Sequence, residues 1–211
     1  MAHSRMSSES SIRELFATLS GADAAQSTVG ASAVAAGMGV SLLIMVAALP
    51  ATRAGSIDDR KALTGATRTL LDLRRQLAAT IDVETTSRLV AAREMLNESD
   101  TQRTAREAAI QLALRRAADV PLEVMRLSAR GLIQGQIVAA HGCRAASSDV
   151  ELAVALLRVG VVGARSSLEL KLTSLTDAGY TQAVVHEIAR LSEEAFTAAT
   201  AAESSLRVPP A

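Results

Sequence analysis

Helix-spaced residues along one stretch supply the first candidate chemistry. Leu70, Leu73, Leu77 and Ile81 step at three- and four-residue intervals, and the next positions on that face are Glu84 and Arg88. A carboxylate that continues an apolar stripe lies at the edge of a core or inside it. Inside, loss of solvation raises its pKa, which suits a proton shuttle near neutral pH. Arg88, one turn on, opposes that shift, and the plainer reading is an i,i+4 salt bridge where the helix meets solvent. Periodicity alone favours the salt bridge. Asp82 points about 100° off the stripe per residue of displacement and reads as solvated.

Other reactive types are scattered. His3, His141 and His186 lack metal-ligand spacing, and Cys143, near His141, has no evident orienting partner. No phosphate loop or dinucleotide fingerprint occurs. Lys plus Arg balances Asp plus Glu at 22 each, so no basic field points to nucleic acid. Aromatics make up 1%, which leaves little for base stacking. One cysteine excludes an intrachain disulfide and fits a reducing cytoplasm, where the absence of a secretory signal also places the chain.

The elements that must position these residues read as helices throughout, in an all-α elongated antiparallel bundle. The expected helices span about 8–19, 29–50, 57–97, 101–141, 148–172 and 177–206, in one domain covering 1–211 with tails at 1–7 and 207–211. Serines near the chain start read as caps, Pro121 as a kink or break, and Gly142 as a helix stop ahead of a Ser148–Asp149 cap. In the fifth helix, Val150, Ala153, Val154, Leu157, Val161, Ala164 and Leu168 form a core face. Glu151, Arg158 and Arg165 form a separate solvated stripe. The run "VGASAVAAGMGVSLLIMVAAL" at 29–49 is long enough to cross a bilayer. Its Gly, Ala and Ser content and its lack of flanking Trp, Tyr or basic clusters favour instead a central helix wrapped on every side.

Segment order adds a resemblance. "ASAVAAGMGVSLLIMV", "TIDVE", "AAIQLALRRAADVPLEVM" and "HGCRAASSDVELAVALLRVGVVGARSSLELKLTSLTD" together resemble the cyclodeaminase/cyclohydrolase family from about Ile12 to Leu206. The resemblance implies a dimeric helical bundle that closes or opens the one-carbon bridge of tetrahydrofolate, with no cofactor beyond that substrate. It aligns the family's two aspartates with Asp82 and Glu84 and an aromatic with Arg88. Its triple-glycine loop falls on Ser27, Thr28, Val29 and Gly30, and its asparagines on Cys143, Ser167 and Lys171; Ser148 and Asp149 match. The implied roles are Glu84, with Asp82, as proton shuttle and Arg88 as charge-setter or anion binder. The remaining positions shape the substrate pocket. A retained framework with exchanged polar groups predicts a remodelled site, acting on a folate one-carbon adduct or, as a recruited cyclase in specialised metabolism, on a non-folate molecule. The rival expectation is a non-catalytic dimer that binds a ligand or a partner.

Overall fold

The computed structural model describes residues 11–20, 28–96 and 103–207; for Thr18, 83–96 and 103–106 it describes the backbone alone. Six helices account for the described residues: α1 (Ile12–Leu19), α2 (Thr28–Ala48), α3 (Ile57–Leu96), α4 (Arg103–His141), α5 (Ser147–Leu172) and α6 (Ala178–Arg207). A single 3-10 turn, Arg144–Ala146, precedes α5, and no strand occurs among the described residues. The all-α bundle is therefore as the sequence predicts.

Local chemistry explains the ends. Ser11 and Glu14 form a reciprocal capping box at α1: the Ser11 amide donates to Glu14 Oε2 at 2.8 Å, and the Glu14 amide to Ser11 Oγ at 3.3 Å. At α3 the Asp59 amide donates to Ser56 Oγ at 3.0 Å. The fifth helix starts at Ser147, and its N-cap, Ala146, makes no side-chain cap bond. Ser148 and Asp149 therefore lie inside the first turn and do not cap it, because the preceding 3-10 turn already leads the chain into the helix. Gly142 does end α4. A Cβ there would meet the Val138 carbonyl oxygen at 2.5 Å and Val46 Cγ1 at 3.2 Å.

Two expectations need correction. Pro121 does not break α4, which runs through it. Packing against α2, α3, α5 and α6 outweighs the lost hydrogen bond. That same set of neighbours makes α4 the centre of the bundle. The apolar helix α2 is covered chiefly by α3, α4 and α5, and Met38 and Met45 stay 55% and 42% exposed. It is long and apolar enough to cross a membrane, and half of it is buried inside the protein. Its Ser32 and Ser41 hydroxyls donate to the carbonyls of Thr28 and Gly37, one turn back.

Successive helices from α2 to α6 alternate in direction. Arg60 at the start of α3 reaches Ala47 at the end of α2, and Arg126 in α4 pairs with Glu187 in the parallel α6. α2 and α5 approach closely where a Cβ on Gly39 would lie 2.7 Å from the Ala153 carbonyl oxygen. Leu70, Leu73, Leu77 and Ile81 are all buried, as their spacing predicts.

Candidate functional site

The structure divides the predicted site residues between the two ends of the bundle. One group gathers where α2 begins. Gly30 is buried there, and Gly163 of α5 faces Ser32 and Thr28. Ser167, one turn beyond Gly163, is half-buried, and Lys171, one turn further, is half-buried and engaged. Ser27 lies outside the described residues. On α3 the buried stripe arrives at Ile81, after which Asp82 is exposed and engaged. The backbone carries Glu84 and Arg88 onward on the Leu77 and Ile81 face, while their side chains lie outside the described residues. Beneath that face, α2, α3 and α5 line an open groove of about 630 Å³ that is almost wholly apolar, including Val34, Met38, Leu77, Ile81 and Leu152.

The second group sits at the opposite end. Cys143 is a half-buried free thiol, Ser148 is exposed and Asp149 is half-buried in the first turn of α5. There its charge favourably meets the positive end of the helix dipole. From Ser148 to Lys171 is twenty-three residues of continuous helix, about 35 Å at 1.5 Å per residue. No ligand of folate dimensions seated at one end of a chain also touches the other.

Sequence reasoning missed a polar clamp at this second end. Asp59 is 6% exposed, and its Oδ1 lies 2.8 Å from His141 Nδ1 while its Oδ2 accepts the Ala54 amide at 2.8 Å. The His141 bond first, and the Ala54 amide second, hold the carboxyl at about 2, below its usual value. Arg53 donates to the Ala139 and Ser205 carbonyls, and Arg60 to those of Ala47, Leu49 and Pro50. These cations satisfy carbonyls that helix ends leave unpaired. His141 is thus oriented by a carboxylate, a partner 82 positions away.

A second missed cluster joins α4 to α6 beside Gln76 and Thr80 of α3. Arg126 grips Glu187 through two bonds of 2.9 and 2.8 Å, and Glu123 stands 3.3 Å away. The pairing lowers the Glu187 pKa and raises that of Arg126, its bond to Arg126 or Glu187 being the main cause in each. Tyr180 donates to Asp119 at 2.7 Å beneath the Arg115 guanidinium, 4.3 Å from the ring centre. Burial first, and Asp119 second, push the phenol well above its ordinary value. Beside this cluster α3 and α4 enclose a groove of about 500 Å³ lined by Gln76, Thr80, Arg116, Asp119 and Glu123. The available signal was that Tyr180 is the only tyrosine in an aromatic-poor chain. His186 is exposed, and among the described residues no group of three or more His, Cys, Asp or Glu side chains could hold a metal.

An up-and-down helical bundle whose helices approach closely at glycines defines the class. Within that class the chain belongs to the formiminotransferase-cyclodeaminase family, whose model matches residues 11–190. It is 29% identical over 168 residues to methenyltetrahydrofolate cyclohydrolase from Methylorubrum extorquens, covering 79% of this chain and 81% of that protein. Its fold also matches the crystal structure of formiminotetrahydrofolate cyclodeaminase from Thermotoga maritima. The TM-score is 0.84, with 16% identity over 94% of this chain and 96% of the other.

Proposed function

We propose that the protein is a homodimeric enzyme that opens or closes the one-carbon bridge of a tetrahydrofolate adduct. The carrying observation is the shared family together with the match to a methenyltetrahydrofolate cyclohydrolase across about four-fifths of both chains. Both relatives are named for tetrahydrofolate one-carbon adducts, and that substrate class is the one proposed here.

In the hydrolytic direction water adds to the electrophilic bridging carbon, forming a C–O bond and releasing a proton. The carbon–nitrogen bond of the ring then breaks as that nitrogen takes up a proton. Glu84 is the assigned proton carrier, because α3 delivers it on the face whose preceding members, Leu77 and Ile81, are buried. An apolar surround raises a carboxyl toward the operating pH, where transfer is most effective. Asp82 assists from the exposed side of α3. Arg88 balances the charge of Glu84 or pairs with an anionic group of the substrate. Gly30, Ser27, Ser167 and Lys171 are assigned to seat the ring system at the start of α2. Cys143, Ser148 and Asp149 belong to the pocket only in an assembly that brings the two ends together.

The test follows the loss of 5,10-methenyltetrahydrofolate absorbance, with ammonia release from the 5-formimino adduct as the second arm. The wild-type chain accelerates one of the two. Glu84→Gln lowers kcat by about 10²–10⁴-fold, the ordinary contribution of a positioned acid or base, with the helical circular dichroism unchanged. Full turnover in both Glu84→Gln and Glu84→Ala sinks the role of Glu84. Binding of either folate without turnover by the wild-type chain overturns the enzymatic reading in favour of a ligand-binding dimer.

A further inference from the structure

The groove between α3 and α4, about 500 Å³, lies off the face that carries Glu84. Gln76 and Thr80, which line it from α3, are turned about 60–100° from Leu77 around the helix axis. Its floor is apolar at the buried Val120, and its rim is charged. Along α4, Arg116, Asp119 and Glu123 follow at three- and four-residue spacing, so one helix face presents a cation and then two carboxylates.

An arginine and an aspartate three positions apart on a helix ordinarily answer each other. Here they do not. Tyr180 takes Asp119 instead, donating to its Oδ1 at 2.7 Å. Tyr180 is itself fixed, its amide on Asp177 Oδ1 at 2.9 Å and its ring beneath Arg115. The arginine that pairs with Asp177 is Arg115, at 3.4 Å. Among the described residues the Arg116 side chain enters no ion pair or hydrogen bond, and no cation pairs with Asp119. Glu123 is only half answered. Arg126 gives it a contact of 3.3 Å and directs its shorter bonds, 2.9 and 2.8 Å, to Glu187.

We propose that this groove is a second binding site, for a basic α-amino acid of the lysine type. Charge order selects the class. A ligand that answers α4 from Arg116 onward must offer an anion, then a cation, then a second cation. An α-amino acid with a terminal side-chain amine is built in that order. Its carboxylate meets the Arg116 guanidinium, which can hold it in a bidentate fork. The α-ammonium meets Asp119, about 4.5 Å further along the axis, and the side-chain ammonium meets Glu123, about 6 Å beyond that. Lysine's four-carbon stem bridges the two carboxylates and lies on Val120 between them, covering the apolar floor while its head stays at the rim. A simple diamine leaves Arg116 unanswered, and an aliphatic amino acid leaves Glu123 with only the long Arg126 contact. Tyr180 already holds Asp119 in place, so binding has little to order there.

Isothermal titration calorimetry of the full chain with L-lysine tests the site, alongside norleucine, which lacks the terminal amine, and cadaverine, which lacks the carboxylate. Lysine binds about tenfold or more tighter than either analogue, since each analogue forfeits a charge-assisted contact. Arg116→Ala weakens lysine about tenfold or more, while cadaverine binds as well as before or better. Glu123→Gln weakens lysine by a similar factor and leaves norleucine within about threefold. Arg116 is exposed and Glu123 half-buried, and circular dichroism confirms that both variants keep their helices. Absence of lysine binding, lysine no tighter than the two analogues, or a lysine affinity unchanged in either variant overturns the proposal. The folate reading stands or falls separately, because neither Arg116 nor Glu123 has a part in it.

Discussion

Leu157 is fully buried and wedged between two glycines, and this makes the bundle's packing testable at one residue pair. A Cβ built on Gly131 of α4 would have Leu157 as its nearest neighbour: Cδ2 at 2.7 Å, Cδ1 at 3.4 Å and Cγ at 3.6 Å. Gly131→Ala therefore carries two opposed effects. Helix propensity favours alanine by about 1 kcal/mol, and overpacking against Leu157 costs about 1–3 kcal/mol. In the wild-type background the net change is neutral to destabilising by about 2 kcal/mol. Leu157→Ala alone costs about 3–5 kcal/mol, the transfer loss plus the cavity. In that background the obstruction is gone, so Gly131→Ala stabilises by about 1 kcal/mol. Guanidinium unfolding followed by circular dichroism, at fixed chain concentration, reads all four corners. The expected coupling equals the overpacking cost, about 1–3 kcal/mol. If Gly131→Ala has the same effect in both backgrounds within about 0.5 kcal/mol, Leu157 does not lock α4 to α5 and the wedge is refuted.

Two further predictions concern titration. Asp59 titrates at about 2 in the fold, against about 3.9 for an unperturbed aspartate. Its stabilisation is complete above about pH 4 and is lost as pH falls toward about 2; Asp59→Asn flattens that part of an acid-unfolding curve, and identical acid slopes in the two proteins count against the clamp. Tyr180 is the only tyrosine, so alkaline difference absorbance reports it alone. Its ionisation sets in well above the ordinary value near 10, and the stability from the neutral phenol fades as pH climbs through that range. Asp119→Ala brings the transition down by removing the acceptor, and no movement refutes the Asp119 contribution.

What was legible in the sequence was what repeats locally. The Leu70–Ile81 stripe and the core face of α5 follow from three- and four-residue spacing, and each is buried as expected. A break at Pro121 is ruled out by the fold, because intrinsic propensity carries no knowledge of four packed neighbours. The exposed side of α2 was misjudged because hydropathy counts apolar residues without saying whether the same chain covers them. The Asp59–His141 clamp left no trace because its members are 82 positions apart and each is unremarkable alone.

The site shows the same division more sharply. Helical spacing assigns Glu84 and Arg88 to one face and sets Asp82 off it, and the family resemblance supplies the remaining residues, but neither says at which end of a bundle a residue stands. Alternating helix directions send Ser167 and Lys171 to the start of α2 and leave Ser148 and Asp149 beside its end. The clamp at that far end ties Arg53 and Asp59, ahead of and within α3, to the carbonyl and ring of His141. Gly142 then allows the close turn that leads through Cys143 into α5. That turn and the clamp are held by contacts between segments far apart in the chain, which is why helical spacing alone could not place Cys143, Ser148 and Asp149.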